Sequence, residues 1–224
     1  MFRGDITDIL KHNLINLIEA KKIIVILRGI PSDKLTRCAE ALCAGGIKLV
    51  ELAFDASGKV PETEIAASIS ELSAQFAGRL VVGAGSVITP AQVRLARSAG
   101  AEFIVSPNTD ESVISQTLEC GMVSIPGALT PTEIRLAHSY GADFVKVFPA
   151  GCFGPEYIKA VSTPLSDIKL LAVAGILPDE AEEYLSAGAS GLGISSGIVK
   201  KEFIDDGDFE AITELAQLYS DIVK

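Results

Sequence analysis

Apolar residues along the chain gather in short, nearly unbroken runs, separated by stretches in which they recur every three or four positions. The runs cover residues 23–28, 47–53, 80–84, 103–106, 122–125, 143–148, 169–173 and 190–195, and their continuity predicts parallel strands covered on both faces. The stretches between them predict helices. One starts near Pro31 and sets Leu35, Ala39 and Leu42 on a single face. Two more mark their own beginnings: Thr89-Pro90-Ala91-Gln92 and Thr130-Pro131-Thr132-Glu133 each carry a Thr cap, a Pro at the first helical position and Gln or Glu three residues after the cap. The phrases "AGAEFIVSP" (99–107), "YGADFVKVFP" (140–149) and "AGASGLGISSG" (187–197) repeat one theme, a helix-ending Gly followed by a buried strand. One supersecondary unit is reused. The first twenty residues predict an additional helix, with Ile9, Leu10, Leu14, Leu17 and Ile18 as its apolar stripe, placed to close the bottom of the fold.

Eight evenly spaced strands alternating with helices favour a closed (β/α)8 TIM barrel over an open doubly wound sheet, in one domain over residues 1–224. A hydrophobic content of 48% supplies the core for it. The formal charge of -10, from 19 basic and 29 acidic residues, repels phosphate backbones and excludes nucleic acid as the expected partner. Any anionic small molecule must then be held by local donors. The N-terminus lacks the uninterrupted apolar core of a signal peptide, and no apolar run is long enough to cross a bilayer, so a cytoplasmic protein without a membrane partner is expected. Cys38, Cys43, Cys120 and Cys152 show no Cys-x-x-Cys spacing and sit in apolar or helical stretches, reading as reduced core thiols without a structural zinc. His12 and His138 fall on the solvent faces of helical patterns.

In a barrel of this kind the chemistry stands at the C-terminal ends of the strands. Taken in order, those ends are Arg28, Glu51, "GAGS" (83–86), Ser106-Pro107-Asn108, Pro126-Gly127, Lys146, Ala174-Gly175 and Ser195-Ser196-Gly197. Lys146 is the unusual one, an ammonium within an apolar run. Phe144, Val145, Val147 and Phe148 are the neighbours expected to desolvate it and favour the neutral amine, which attacks a ketone to form a Schiff base. Glu51, on another strand, has the chemistry to shuttle a proton through a water. Such a reaction needs no metal and no other cofactor. The same residues admit plainer readings: Lys146 as a counter-charge with its head in water, Glu51 as an ion-pair partner of Lys146 or Arg28, and Arg28 as a surface charge.

The segments "VELAFD", "VVGAGSVITPAQ", "FIVSPN", "IPGALTPTE", "DFVKVFPAGCFGPEYIKA" and "LAVAGI" resemble the 2-keto-3-deoxy-6-phosphogluconate aldolase family, from about residue 21 to the end. "IVILRGI", the Asn of Ser106-Pro107-Asn108 and "FGPEYIKA" are more similar to its 2-keto-3-deoxy-6-phosphogalactonate branch. The resemblance implies a class I aldolase on a (β/α)8 barrel, usually a homotrimer, acting on a small-molecule 2-keto acid without a cofactor. Lys146 matches the Schiff-base lysine and Glu51 the general acid/base. Arg28 and Ser86 are then expected to grip the pyruvate carboxylate, with Pro107, Asn108, Gly127 and Phe148 around the substrate. Gly175, Ser195, Ser196 and Gly197 are expected to hold its phosphate. The chain departs from the family at Asp55, where the gluconate branch carries an Arg, and at Ala174 and Ser195-Ser196, where relatives have glycine-rich turns. An unphosphorylated substrate such as 4-hydroxy-2-oxoglutarate therefore stays open, as do a phosphate-sugar isomerase or epimerase and a non-catalytic carboxylate-binding barrel.

Overall fold

Strands β1 (Ile23–Leu27), β2 (Leu49–Ala53), β3 (Val81–Gly85), β4 (Phe103–Val105), β5 (Val123–Ile125), β6 (Gly127–Ala128), β7 (Val145–Val147), β8 (Leu170–Val173) and β9 (Gly191–Ile194) lie in one all-parallel sheet. Its order is β5-β4-β3-β2-β1-β9-β8-β7-β6. This computed structural model describes residues 3–223, so Met1, Phe2 and Lys224 of the expected 1–224 span lie outside the described residues. The nine strands are the eight expected ones with the fifth divided at Pro126. Proline has no N–H to give to a ladder, so the assignment breaks there. The chain nevertheless bonds to both neighbours: Ile125 O accepts from Ser106 N at 3.1 Å, while Ser124 O accepts from Phe144 N at 3.2 Å and Pro126 O from Lys146 N at 2.8 Å. These bonds close the sheet into the (β/α)8 barrel.

Helices α1 (Arg3–Lys21), α2 (Ser32–Ala44), α3 (Glu62–Gln75), α4 (Pro90–Ser98), α5 (Glu111–Glu119), α6 (Pro131–Ser139), α7 (Pro155–Ser162), α8 (Pro178–Ser186), α9 (Lys201–Asp206) and α10 (Phe209–Ile222) accompany the strands. Both Thr caps form as the sequence predicts. Thr89 and Thr130 accept from the backbone N–H three residues on, and Gln92 and Glu133 reach back to the cap N–H, so the orphan donors of α4 and α6 are satisfied reciprocally.

Strand alternation splits the core in two. Ile24, Ile26, Leu49, Phe103, Val105, Val123, Ile125, Phe144, Leu171 and Val173 pack into one cluster with Leu14 and Ile18 of α1. Val25, Val50, Val145 and Val147 belong to a second, larger cluster shared with the helices. The first is the barrel interior, and α1 plugs it. Lys11 pairs with Asp143 at 3.0 Å and Lys169 with Glu19 at 2.8 Å, fixing that plug. The expected α1 stripe is too long: Ile9 and Leu10 are 56% and 62% exposed, because only the later turns reach the barrel floor. The cysteine reading also needs one correction. Cys38 is buried, which pushes its thiol up to about 12, whereas Cys152 is exposed in the turn after β7.

Candidate active site

Glu51 follows Leu49 by two residues and Lys146 follows Phe144 by two, so period-two alternation turns both charged side chains inward with those core residues. They are 2% and 6% exposed and border one small interior cavity with Ile26, Val105, Ile125, Leu171 and Val173. Those side chains, contributed by four different strands, desolvate Lys146. Val145 and Val147, expected to do so, face the helices instead. Phe148 caps the arrangement from the mouth, 39% exposed, with its ring centroid 4.8 Å from Lys146 Nζ.

Burial decides the charge balance. It holds the Lys146 amine below its ordinary range; the Glu51 carboxylate opposes that, and Arg28 adds to it by like-charge repulsion. Burial likewise holds the Glu51 carboxyl above its ordinary range, against the pull of Lys146 and Arg28. The competition that sequence alone leaves open is thus won by desolvation at both groups. The result is an amine biased toward its nucleophilic form beside a carboxyl poised to exchange a proton.

Room for that carboxyl comes from Gly85, because a Cβ built there would stand on Glu51 Oε1. Gly85→Ala is therefore expected to keep the barrel, as judged by circular dichroism, while lowering turnover roughly 10- to 100-fold by displacing the carboxylate. Turnover within about twofold of the wild type would show that the position of Glu51 is not critical.

Arg28 and Ser86 meet at the ends of β1 and β3. The guanidinium donates to Ser86 Oγ at 3.2 Å, and Ser86 holds a left-handed φ of 57° in doing so. Both border a broad cleft that runs outward over the β1–α2 and β2–α3 loops and does not include Lys146. Asp55, on that second loop, accepts from the backbone N–H groups of Ser57 (2.9 Å), Lys59 (2.8 Å) and Val60 (2.9 Å) and from Ser57 Oγ (2.7 Å). These bonds pull its carboxyl down to about 2. Its lone pairs are spent on shaping its own loop.

Gly127 pairs in register with Lys146, and the Pro107 backbone occupies the space where a Gly127 side chain would stand. Pro107 and Asn108 are exposed on the loop after β4, and neither borders the cavity of Glu51 and Lys146. Gly175, Ser195, Ser196 and Gly197 come together on a separate cleft between the turns after β8 and β9. Ala174, beside them, takes a φ of 77°, a left-handed conformation that costs an L-residue about 1 kcal/mol. Tyr219 of α10 supports this cleft by donating to Ile176 O at 2.9 Å. Neither Tyr219 nor Lys200, which also borders the cleft, stands out in the sequence as a site residue. Among the described residues no group of three His, Cys, Asp or Glu side chains is gathered where a metal ion could be held, and no helix is long and apolar enough to cross a membrane.

The family model for KDPG and KHG aldolases matches residues 14–215. The chain belongs to that family. Within it, the chain is 35% identical over 179 residues to the 2-dehydro-3-deoxy-6-phosphogalactonate aldolase of Escherichia coli (strain K12), covering 80% of this chain and 84% of the relative. A solved structure of native KDPGal superposes with a TM-score of 0.80 at 32% identity, covering 89% of this chain and 93% of that one. The KDPG aldolase from Legionella pneumophila, with pyruvate captured at low pH as a covalent carbinolamine intermediate, superposes with a TM-score of 0.81 at 28% identity, covering 91% and 96% of the two chains. The aldolase family and the barrel expected from the sequence are thereby established for this chain.

Proposed function

We propose that the protein is a class I aldolase that cleaves a 2-keto-3-deoxy-6-phospho sugar acid, of galactonate or gluconate type, into pyruvate and glyceraldehyde 3-phosphate. The observation that carries this reading is the inward pair of Lys146 and Glu51 in one desolvated cavity. In the forward reaction the neutral Lys146 amine adds to the C2 ketone, and loss of water from the carbinolamine gives an iminium. Glu51, directly or through a water, takes the proton of the C4 hydroxyl as the C3–C4 bond breaks. The bonding electrons pass into the iminium to form an enamine, and the aldehyde leaves. Protonation of the enamine at C3 and hydrolysis of the resulting iminium release pyruvate and restore the amine.

Arg28, braced by Ser86, is assigned to the substrate carboxylate, and the cleft of Gly175 and Ser195 to Gly197 to the phosphate. Pro107, Asn108, Gly127 and Phe148 are assigned to the rim through which substrate enters. The family resemblance supports a homotrimer in the cytoplasm.

Purified protein is expected to release pyruvate from both phosphorylated epimers with kcat/KM at least about tenfold above that for 4-hydroxy-2-oxoglutarate, one charged contact being worth that much. Dialysis against EDTA is expected to leave the rate unchanged. Absence of pyruvate from every one of these substrates, or a loss on EDTA treatment that Mg²⁺, Mn²⁺ or Zn²⁺ restores, would overturn the assignment.

A further inference from the structure

The cleft between the turns after β8 and β9 carries a charge that the sequence assigns to solvent. Lys200 opens the run "KKEFIDD", where charged residues read as a solvated loop and helix start. In the fold it stands just ahead of α9 and borders the same cleft as Ala174, Gly175, Ser196 and Gly197. No other Lys, Arg, His, Asp or Glu lines that cleft among the described residues.

The neighbouring cations are engaged. Lys201 pairs with Asp205, and Lys34 donates to the carbonyls of Ile204 and Asp205 at 2.7 and 3.0 Å. Lys200 has no carboxylate partner among the described residues, and its ammonium lies 5.3 Å from the Phe203 ring centroid. The backbone around it is also partly unspent. Ile198 and Val199 N–H both turn to Ser195 O, at 3.0 and 2.9 Å, but the N–H groups of Gly175, Ile176, Ser196 and Gly197 reach no protein acceptor among the described residues.

Four backbone donors without a protein acceptor among the described residues, on a cleft bordered by a cation without a carboxylate partner, suit a compact, multiply charged oxyanion. A phosphate, with three acceptor oxygens and a greater charge than a carboxylate, engages such a set more fully. In a chain of formal charge -10, an ammonium that borders such a cleft without a carboxylate partner among the described residues is a selective feature. The local sequence also calls for it, because Ala174 carries a methyl, and Ser195 and Ser196 carry hydroxymethyl groups, on the turns that line the cleft. Close approach of bare backbone to a phosphate is thereby reduced, and a mobile charge on a long stem offsets the loss.

We propose that Lys200 supplies the charge that holds the terminal phosphate of the substrate in this cleft, and so sets the preference for phosphorylated over unphosphorylated 2-keto acids. This role rests on the aldolase reading above. Lys200→Met keeps the stem and removes the charge. Its KM for the phosphorylated substrate is expected to rise roughly tenfold with kcat little changed, while KM for 4-hydroxy-2-oxoglutarate stays at the wild-type value. Lys200→Arg is expected to restore most of the difference. Inorganic phosphate, tested as a competitive inhibitor and by its effect on the melting temperature, should bind Lys200→Met roughly tenfold more weakly than the wild type.

An unchanged KM for the phosphorylated substrate, with phosphate binding equally to both proteins, would overturn the proposal. Equal losses on both substrates would also overturn it, by showing a structural effect. A wild-type protein that cleaves neither substrate would instead refute the aldolase reading, and the phosphate-binding measurement would still report on Lys200.

Discussion

Replacing Lys146 with Arg is expected to lower aldol cleavage by roughly 10⁴-fold or more, although the positive charge is kept. Arginine stays protonated at any pH the fold survives and has no neutral amine to add to a ketone. Lys146→Ala is expected to be equally inactive. The pair of variants separates two roles that one substitution confuses: a counter-charge is rescued by Arg, whereas a nucleophile is not. The structure makes nucleophilic use of Lys146 physically reasonable, because Ile26, Val105, Ile125, Leu171 and Val173 surround the amine and hold its pKa below the ordinary range. The rate of adduct formation should accordingly rise with pH through that lowered value and level off below 10.5, the ordinary lysine value. A substantially active Lys146→Arg enzyme would leave Lys146 as a counter-charge.

Glu51→Gln is expected to show a paired effect. Turnover should fall by about 10²- to 10⁴-fold, because the amide keeps the shape of the side chain but cannot exchange the proton. Stability at pH 7 should rise. Burial holds the Glu51 carboxyl above its ordinary 4.5, so the folded protein retains a proton that the unfolded chain has already released. Stability contributed by this group is therefore present below 4.5 and is lost as pH climbs through the folded value. Glutamine does not titrate and escapes that loss. The melting temperature of Glu51→Gln should exceed that of the wild type at pH 7, and the gap should narrow as the pH falls toward 4.5. A variant that loses stability at pH 7 while keeping near-normal turnover would assign Glu51 to an ion pair with Lys146 instead.

What the sequence reveals of this site follows from what local pattern encodes. Lys146 and Glu51 are conspicuous because each interrupts an apolar strand, and strand alternation turns both inward. The walls of their cavity are not conspicuous. Ile26, Val105, Ile125, Leu171 and Val173 look like any core residues, and only the closure of the barrel brings their four strands together. For the same reason Val145 and Val147, adjacent to Lys146 in sequence, turn out to face the helices.

The eight strands were legible to within about two residues. Exceptions arose where the ladder itself is irregular, at Pro126 and at Asp143, whose side chain accepts from Ser124 N at 2.8 Å. In α1 the apolar pattern overstated burial, since periodicity shows which face is apolar but not how far the partner surface extends. At Asp55 the sequence shows only a departure from the family, because the fate of the residue depends on a five-residue loop closing around its carboxylate, a conformation that residue type alone does not specify. Lys200 was hidden by its company, a run of charges whose ordinary destination is water.

Reductive trapping decides whether Lys146 is the Schiff-base nucleophile. The protein is mixed with pyruvate and sodium borohydride, digested with trypsin and analysed by mass spectrometry. A lactyl-sized mass increase is expected on one peptide, localised to Lys146 and absent from Lys146→Ala. A label on Lys48, Lys159 or Lys169, or no pyruvate-dependent label at all, would contradict it.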